Sequence, residues 1–426
     1  MKLLIEKPIY GGAGLAHCEA KAVFVPFTLP GELVEARIRE EKRGYATAEV
    51  ASVIEPSADR RTASCGYFGT CGGCHYQHAS YAAQVAMKAA ILRETLERAR
   101  IREIAEISTL SGEPLGYRNR VRLQVERNPF SLCYKYRNSH RNLPVESCPI
   151  AAPGLQRAIE ALHREGGALG LGEWVTEIEL FAAEDGAILV SLFTNAAPKA
   201  AAQTLAAAWA ALRAMLPGMT GAACFSAGDG RGPAKRVAHQ GEESLLYRSG
   251  ERGYRVSFGS FFQTNRFLID SLVEVVTGEE SGGVAWDLYA GVGLFSLRLT
   301  EHFSNVVAVE ASASAVLDLG ENLRGTVHRM VASETASFLR RAVEQRMPAP
   351  DLVVVDPPRA GLGGEATSAL GKLRPRKITY VSCDPATLSR DLAGLLESGY
   401  RLRKLRLVDL FPQTFHVESV THLSLD

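Results

Sequence analysis

Four apolar runs in the segment 251–426 end on charged, aromatic or nucleophilic residues: Val284 to Tyr289, Val306 to Glu310, Leu352 to Asp356 and Ile378 to Cys383. Stretches with helical spacing separate them. Such alternation predicts a parallel, doubly wound α/β sheet, in which ligands lie at the carboxyl ends of the strands. Upstream the pattern changes. After Ser80, the residues Val85, Ala89, Leu92 and Leu96 fall four, three and four apart, which predicts a helix with one face on a core. The alanine-rich stretch from Pro198 to Leu216 predicts another, with Pro198 suited to its first turn. Residues 1–55 show short apolar runs instead, Val23-Phe24-Val25 and Leu33-Val34 through Ile38. Turns at Gly11-Gly12, Gly14, Pro30-Gly31 and Gly44 break them, which predicts a small β-barrel. The expected division is a barrel over 1–55, a central α+β domain over 56–250 and an α/β domain over 251–426.

The 48 basic and 47 acidic residues nearly cancel, so net charge makes no case for a polyanionic partner. Local charge does. Gly116 to Arg141 carries seven basic residues, Arg118, Arg120, Arg122, Arg127, Lys135, Arg137 and Arg141, against Glu126 alone. On a strand, Arg118, Arg120 and Arg122 share one face, and Tyr134 and Tyr136 interleave with Lys135 and Arg137. Two readings fit: an RNA-binding strand that combines base stacking with phosphate contacts, or a solvated sheet face. The barrel, with 7 basic and 8 acidic residues, gives no electrostatic case for RNA. No apolar run approaches the roughly eighteen residues of a membrane span, and Glu6 cuts short the opening Met1-Lys2-Leu3-Leu4-Ile5, which spoils a signal peptide. The expectation is a cytoplasmic protein without membrane contact, whose eight cysteines are metal ligands, nucleophiles or packing residues rather than disulfides.

The candidate chemistry gathers at the ends of the predicted parallel strands. At Cys383 a strand pattern gives way to Asp384, an N-cap residue, and Pro385, suited to a first helical position. The thiol then lies at the positive end of a helix dipole, which predicts a lowered pKa and a larger thiolate fraction. A buried structural cysteine is the alternative. Asp287-Leu288-Tyr289-Ala290-Gly291-Val292-Gly293 is a strand followed by a glycine turn, where backbone can approach a nucleotide-like ligand. Glu310, ending the next strand, can take both hydroxyls of a ribose. These suit NAD or S-adenosylmethionine, and Asp356-Pro357-Pro358-Arg359, a stiff acidic loop of a kind common in enzymes that use the latter, favours S-adenosylmethionine. Arg359 stands where enzymes that methylate exocyclic amines usually carry an aromatic ring. A thiol beside that cofactor points to a pyrimidine C5. Uracil C5 is too poor a nucleophile to take a methyl group until a thiolate has added at C6, and a base must afterwards remove the C5 proton. Glu418, in His416-Val417-Glu418-Ser419-Val420, is the candidate base.

Four cysteines form a second pattern: Cys65-x5-Cys71-x2-Cys74, with Gly72 and Gly73 inside the loop, and Cys148 downstream. Zinc is one reading. The absence of paired short knuckles favours an iron-sulfur cluster, and four protein ligands would leave no open iron, which suits a structural or RNA-positioning role. Cys18, Cys133 and Cys224 read as packing residues.

Over nearly its whole length the chain resembles the RNA uracil-5 methyltransferases, especially the 23S ribosomal RNA enzymes that carry a barrel and an iron-sulfur cluster. Phe24-Val25-Pro26 with Pro30-Gly31-Glu32 resembles the family's TRAM barrel, and Cys65, Cys71, Cys74 and Cys148 match the ligands of its [4Fe-4S] cluster. Phe262-Gln263-Thr264-Asn265 resembles the segment whose glutamine meets cofactor and substrate. The resemblance implies a Rossmann-like methyltransferase domain, with Gln263, Tyr289, Glu310 and Asp356 binding S-adenosylmethionine alongside the glycine turn at Gly291, Cys383 as nucleophile and Glu418 as base. Two positions depart from the family pattern: Ser333 or Glu334 stands where relatives often place Asp or Asn near the adenine, and Leu294 stands where a polar residue is frequent. The expectation is a monomer acting on structured RNA, 23S ribosomal RNA first, with transfer RNA as the alternative. RNA cytosine-5 methylation is disfavoured because that class places a second cysteine in the loop that here reads Asp356-Pro357-Pro358. A non-catalytic iron-sulfur RNA-binding protein is the alternative from another class.

Overall fold

The computed structural model describes residues 1–101, 104, 106–226, 234–326 and 328–426. The chain opens with β1 (Lys2–Leu4), β2 (Lys7–Pro8), β3 (Ala13–Cys18), β4 (Lys21–Pro26), β5 (Leu33–Glu41) and β6 (Tyr45–Glu55). They form one sheet of order β1-β5-β6-β4-β3-β2, curled round a core that includes Leu3, Ile5, Val23, Val25, Val34 and Ala46. Alternate residues face this core, as a period of two requires. The β2–β3 turn depends on Gly11 and Gly12 at φ 102° and 91°, a region that favours glycine. Glu32 is fully buried and accepts hydrogen bonds from Leu29 N at 2.9 Å and Arg60 Nη2 at 2.6 Å, which ties the barrel to the chain that follows it.

Next comes α1 (Tyr81–Arg98), capped by the Ser80 hydroxyl, which accepts from Ala83 N at 3.3 Å. Its buried face is Gln84, Met87, Lys88, Ile91, Leu92 and Leu96. Leu92 and Leu96 lie where the spacing predicts, but the face is turned so that Val85 and Ala89 sit at its rim and two polar side chains lie inside.

After β7 (Ile107–Leu110) come β8 (Arg120–Arg127), β9 (Phe130–Lys135), β10 (Asn142–Pro144), α2 (Pro153–Glu165), β11 (Glu177–Ala182), β12 (Ile188–Thr194), α3 (Pro198–Met215), β13 (Met219–Ser226) and β14 (Lys235–Gly241). The strands from β8 onward form a seven-stranded sheet of order β10-β9-β8-β11-β12-β13-β14, and α2 and α3 share its core through Leu155, Ile159, Leu205 and Leu212. Val121 and Leu123 enter that core, so Arg120 and Arg122 take the opposite face.

That face is neutralised, contrary to what the local charge count suggests. β11 runs antiparallel to β8 with Glu179 opposite Arg122. Arg120 pairs with Glu179 at 3.5 Å, Arg122 with Glu177 and Arg127 with Glu173. Arg120 and Arg122 also lie over the rings of Phe181 and Phe193, at 4.2 and 4.0 Å from the centroids. Glutamates from distant sequence, invisible to a local count, thus meet Arg120 and Arg122 on that face and Arg127 at the end of β8.

A hairpin of β15 (Ser244–Ser249) and β16 (Arg252–Ser257) leads to α4 (Ile269–Thr277), β17 (Gly282–Leu288), α5 (Leu294–Thr300), β18 (Phe303–Glu310), α6 (Ala313–Asn322), β19 (Arg329–Ala332), α7 (Thr335–Glu344), β20 (Leu352–Val355), α8 (Gly363–Leu373), β21 (Lys377–Ser382), α9 (Pro385–Glu397), β22 (Arg401–Val408) and β23 (Glu418–Ser424). Their strands and β7 make an eight-stranded sheet of order β19-β18-β17-β20-β21-β23-β22-β7. Strands β17 to β21 are parallel, and β23 is antiparallel between β21 and β22. The strands are apolar on both faces because both are covered. Ala285, Val354 and Val381 pack with α4 and α5, and Trp286, Val353 and Tyr380 with α7, α8 and α9. The order of the strands reverses between β17 and β20, which sets the ligand crevice there. α1 and β7 belong to this sheet although their sequence lies within 56–250: β7 pairs with β22, and Leu92 and Leu96 join the core of Tyr400 and Leu405. Among the described residues no helix is long and apolar enough to cross a membrane.

Candidate active site

After β17 the chain turns through Tyr289 at φ 63°, Gly291 at 56° and Gly293 at 93° into α5. A left-handed conformation at a tyrosine is strained, as functional turns often are. The two glycines serve different ends. A Cβ at Gly293 would come within 2.8 Å of Leu319 Cδ1, whereas one at Gly291 would meet no atom within 4 Å, so Gly291 faces open space. Glu310, ending β18, accepts at Oε2 from Gly291 N at 2.8 Å and at Oε1 from Ala311 N at 2.8 Å and Ser312 N at 2.7 Å. Three amides thus take most of the roughly four acceptor positions of a carboxylate, leaving room for one ribose hydroxyl where the sequence suggests two. Ser333 N donates to Glu310 O at 2.9 Å, so that position lies beside the same strand end.

Asp356 follows β20 and donates its backbone N–H to Leu288 O at 3.3 Å. Cys383 follows β21. In the antiparallel pairing of β21 with β23, the last pair is Ser382 with Ser419, so Cys383 and Glu418, the first residue of β23, each stand one residue beyond it. Asp384 caps α9 through Oδ1, which accepts from Ala386 N and Thr387 N at 2.9 Å each, and Pro385 opens the helix. Gln263 is buried in the loop after β16, and its carbonyl accepts from Asn119 Nδ2 at 2.9 Å. Its side-chain amide makes no hydrogen bond among the described residues. Asn265 in the same loop donates to Leu410 O at 3.1 Å, which joins this loop to the segment before Glu418.

The ionisation of Cys383 differs from the expectation. Burial pushes its thiol up to about 12, with the Glu418 and Asp356 carboxylates adding and Arg359 opposing. The partial charge of a helix end loses to desolvation and two nearby anions. Burial also raises Glu418 to about 8, with Asp356 adding and Lys88 and Arg359 opposing. Asp356 and Asp287 are both raised to about 7, chiefly by burial; Asp287 adds to the shift of Asp356, and Glu310 to that of Asp287. A crevice lined by so many reluctant acids is suited to a bound cation.

Cys65, Cys71, Cys74 and Cys148 line one cavity of about 260 Å³, walled also by Phe68, Tyr134 and Arg118. Among the described residues no three His, Cys, Asp or Glu side chains converge closely enough to hold a single metal ion. The cysteine loops and the strand beside them are stitched to the loops that carry Gln263 and Gln413. Arg118 N donates to Ile150 O at 2.8 Å and Asn119 N to Thr264 O at 3.0 Å, while His75 N and Tyr76 N, just after Cys74, both donate to Gln413 O at 2.7 and 3.0 Å. Cys224 is buried in the core of the central sheet, Cys133 is buried on β9, and Cys18 packs against the barrel core.

Three residues with a part in this site carry no motif. Lys88 and Asp409 have fully buried side chains; Lys88 Nζ donates to Asp409 Oδ1 at 2.6 Å and to Phe411 O at 2.9 Å. The available signal was the spacing of Gln84, Lys88 and Leu92 at intervals of four, which puts polar residues on the apolar face. Tyr10, on the turn between β2 and β3, donates its hydroxyl to Asp384 Oδ2 at 3.2 Å, and nothing in its local pattern shows that the barrel reaches so far.

A crevice at the reversal point of a mostly parallel sheet, with a glycine turn, acidic residues on adjoining strand ends and a thiol at its rim, defines an α/β enzyme of the methyltransferase class. Residues 80–425 match the tRNA (uracil-5-)-methyltransferase family, and residues 1–51 match the TRAM domain. An uncharacterized RNA methyltransferase of Aquifex aeolicus is 35% identical over 434 residues, covering 100% of this chain and 98% of that one. The 23S rRNA (uracil(1939)-C(5))-methyltransferase RlmD of Aromatoleum aromaticum is 33% identical over 98% of each chain. The tRNA (uracil-54, C5)-methyltransferase of Pyrococcus abyssi, solved with S-adenosyl-L-homocysteine, shares the fold with a TM-score of 0.75 at 23% identity, over 99% of this chain and 100% of that one. The chain belongs to the tRNA (uracil-5-)-methyltransferase family. It is an RNA uracil-5 methyltransferase that uses S-adenosylmethionine and carries an N-terminal TRAM domain.

Proposed function

We propose that this enzyme methylates a uridine of 23S ribosomal RNA through a covalent adduct on Cys383, with Glu418 as the base. The observation that supports the mechanism is the strand register that ends on Ser382 opposite Ser419, so that Cys383 and Glu418 each stand one residue beyond that pair, with Asp356 following the neighbouring strand β20. The substrate rests on relatives bearing the 23S rRNA (uracil(1939)-C(5))-methyltransferase name at 30% and 33% identity. The sulfur of Cys383 bonds to uracil C6, and the C5–C6 π pair moves onto C5 and O4 as an enolate. S-adenosylmethionine, when bound, supplies the electrophilic methyl group that C5 takes and a positive charge suited to the surrounding acids. Glu418 then removes the C5 proton; the freed pair re-forms the C5–C6 double bond, and the S–C6 pair returns to Cys383. Asp356, the other carboxylate near the thiol, takes the thiol proton before addition, so that Glu418 stays free for C5. Gln263, Tyr289, Gly291, Glu310 and Asp356 hold the methyl donor.

In the same reading Cys65, Cys71, Cys74 and Cys148 hold a [4Fe-4S] cluster. What supports this reading is that all four sulfurs line one cavity of about 260 Å³. These ligands would keep the loop ahead of His75 folded against Gln413, a structural contribution to the segment that ends at Glu418. Protein purified without oxygen should contain about four iron and four sulfide per chain; stoichiometric zinc would replace this assignment.

Transcripts of 23S ribosomal RNA and of transfer RNA made with 5-fluorouridine test the reaction, because fluorine at C5 cannot leave as a proton does. With S-adenosylmethionine, the 23S transcript should give a denaturation-resistant adduct that Cys383→Ala abolishes. An adduct with transfer RNA alone would move the substrate, and none with either would overturn the mechanism.

A further inference from the structure

The barrel touches the catalytic edge through the turn between β2 and β3. Gly11 and Gly12 allow that turn to slot against the cysteine loop, where a Cβ on Gly12 would come within 3.1 Å of His75 Cβ. Tyr10 then reaches Asp384, the residue after Cys383. Asp384 divides its carboxylate: Oδ1 caps α9, and Oδ2 accepts from Tyr10 at 3.2 Å, with no other partner among the described residues. The ring of Tyr10 meets Phe415 edge-on at 5.5 Å between centroids. Phe415 in turn meets His75 and His416 at 4.6 Å each, and His416 lies 5.6 Å from Phe411. Burial lowers His416 to about 4, with nearby cations adding, so its imidazole is neutral at physiological pH and serves as a flat ring. Arg359 Nη2 approaches His416 Nδ1 at 3.4 Å. The row from Tyr10 to Phe411 therefore joins the barrel, the residue after Cys74 and the segment leading to Glu418.

We propose that Tyr10 makes the TRAM barrel part of the methyl-transfer site: as a positioning residue its hydroxyl fixes Asp384 beside the nucleophile, and its ring completes an aromatic wall that holds the target uracil. The barrel in this account does more than bind RNA at a distance. Burial and the Asp384 carboxylate keep the phenol protonated, and hence a donor, throughout the physiological range. A surface contact between the barrel and α1, Lys7 with Glu94 at 2.7 Å, gives the control, since it involves no residue of the site. The inference rests on the reading of Cys383 as the nucleophile.

The test measures adduct formation by the full chain, in single turnover with S-adenosylmethionine, on whichever 5-fluorouridine transcript reacts with the wild type. Two quantities are separated, the rate at saturating RNA and the RNA concentration giving half that rate. Tyr10→Phe, which keeps the ring and loses the hydroxyl, should slow the saturated rate roughly tenfold, and Tyr10→Ala up to about a hundredfold, both with half-saturation little changed. Lys7→Ala should match the wild type in both. If the tyrosine variants weaken half-saturation and leave the saturated rate intact, the barrel only tethers RNA and the proposal is overturned; wild-type behaviour of Tyr10→Phe with an intact rate in Tyr10→Ala overturns it equally. Should Tyr10→Ala fail to fold, Tyr10→Phe decides. A wild type that forms no adduct overturns the nucleophile reading first, and this inference with it.

Discussion

Strand β8 and the carboxyl edge of the large sheet are both dense in charge, and they handle it in opposite ways. On β8, Arg120, Arg122 and Arg127 each meet a glutamate, and two of them lie on aromatic rings. At the sheet edge Asp287, Asp356 and Glu418 stand near one another with no salt bridge among the described residues, all held above the usual carboxylate range chiefly by burial. Paired surface charge is nearly neutral to stability. Buried unpaired acids are a cost that the fold retains where a reaction needs them. The number of charges in a segment therefore says little about where chemistry lies; whether the charge is met says more.

Glu418→Gln tests the second half of that contrast most severely. The variant should trap the methylated RNA on Cys383, with release slowed roughly 10²–10⁴-fold, read as adduct that persists on denaturing gels. In the wild type, release should speed up as pH rises through about 8, where Glu418 becomes the carboxylate that can accept the C5 proton. Stability should move the other way. The folded protein keeps a proton on Glu418 up to about 8, whereas the ordinary value is 4.5. This group favours the fold fully below the ordinary value, and its contribution falls as pH rises toward 8. Glutamine carries no such penalty, so the variant should melt at a higher temperature than the wild type at neutral and alkaline pH. A variant that turns over normally would remove Glu418 from the role of base, and one that melts lower would remove the burial penalty inferred for its carboxylate.

The sequence shows this edge better than it shows what holds it. The strands ending at Tyr289, Glu310, Asp356 and Cys383 are legible because a sheet buried on both faces needs unbroken apolar runs, and chemistry falls where those runs stop. The Asp384-Pro385 helix start is legible because capping is local. The pKa of Cys383 is not, because it depends on Glu418 and Asp356, which come from other strands. Nor is the fate of Arg122, whose partner arrives on β11. Lys88 and Tyr10 become part of the site only by docking of distant segments, Lys88 through Asp409 and Tyr10 through Asp384.

Lys88 and Asp409 are the buried counterpart of the ion pairs on β8. Both side chains are 0% exposed, and Lys88→Met would strand the Asp409 carboxylate without its partner. The expected loss is about 3–5 kcal/mol in denaturant unfolding. Replacing both, Lys88→Met with Asp409→Leu, should recover most of that loss, because hydrophobic pairs of similar volume substitute well for buried ions. The double variant should still differ in chemistry. Lys88 lowers the pKa of Glu418 more than Asp409 raises it, so removing both should shift the pH midpoint of adduct release upward. A double variant that is stable with an unmoved midpoint would make the pair purely structural.

Arg122→Ala should do least. The side chain is half exposed and its ion pair with Glu177 lies at the surface, so unfolding should change by less than about 1 kcal/mol. RNA affinity should be unchanged, and so should its dependence on salt. A guanidinium on a phosphate releases a counterion when it binds, and its loss lowers the slope of log affinity against log salt by about one. Arg141, in the turn just before β10, gives the contrast. It lies over the ring of Tyr136 at 5.3 Å and has no carboxylate partner among the described residues, so Arg141→Ala should lower that slope where Arg122→Ala does not. Equal slopes for the two variants would mean that pairing does not decide which arginines of this strand region meet RNA.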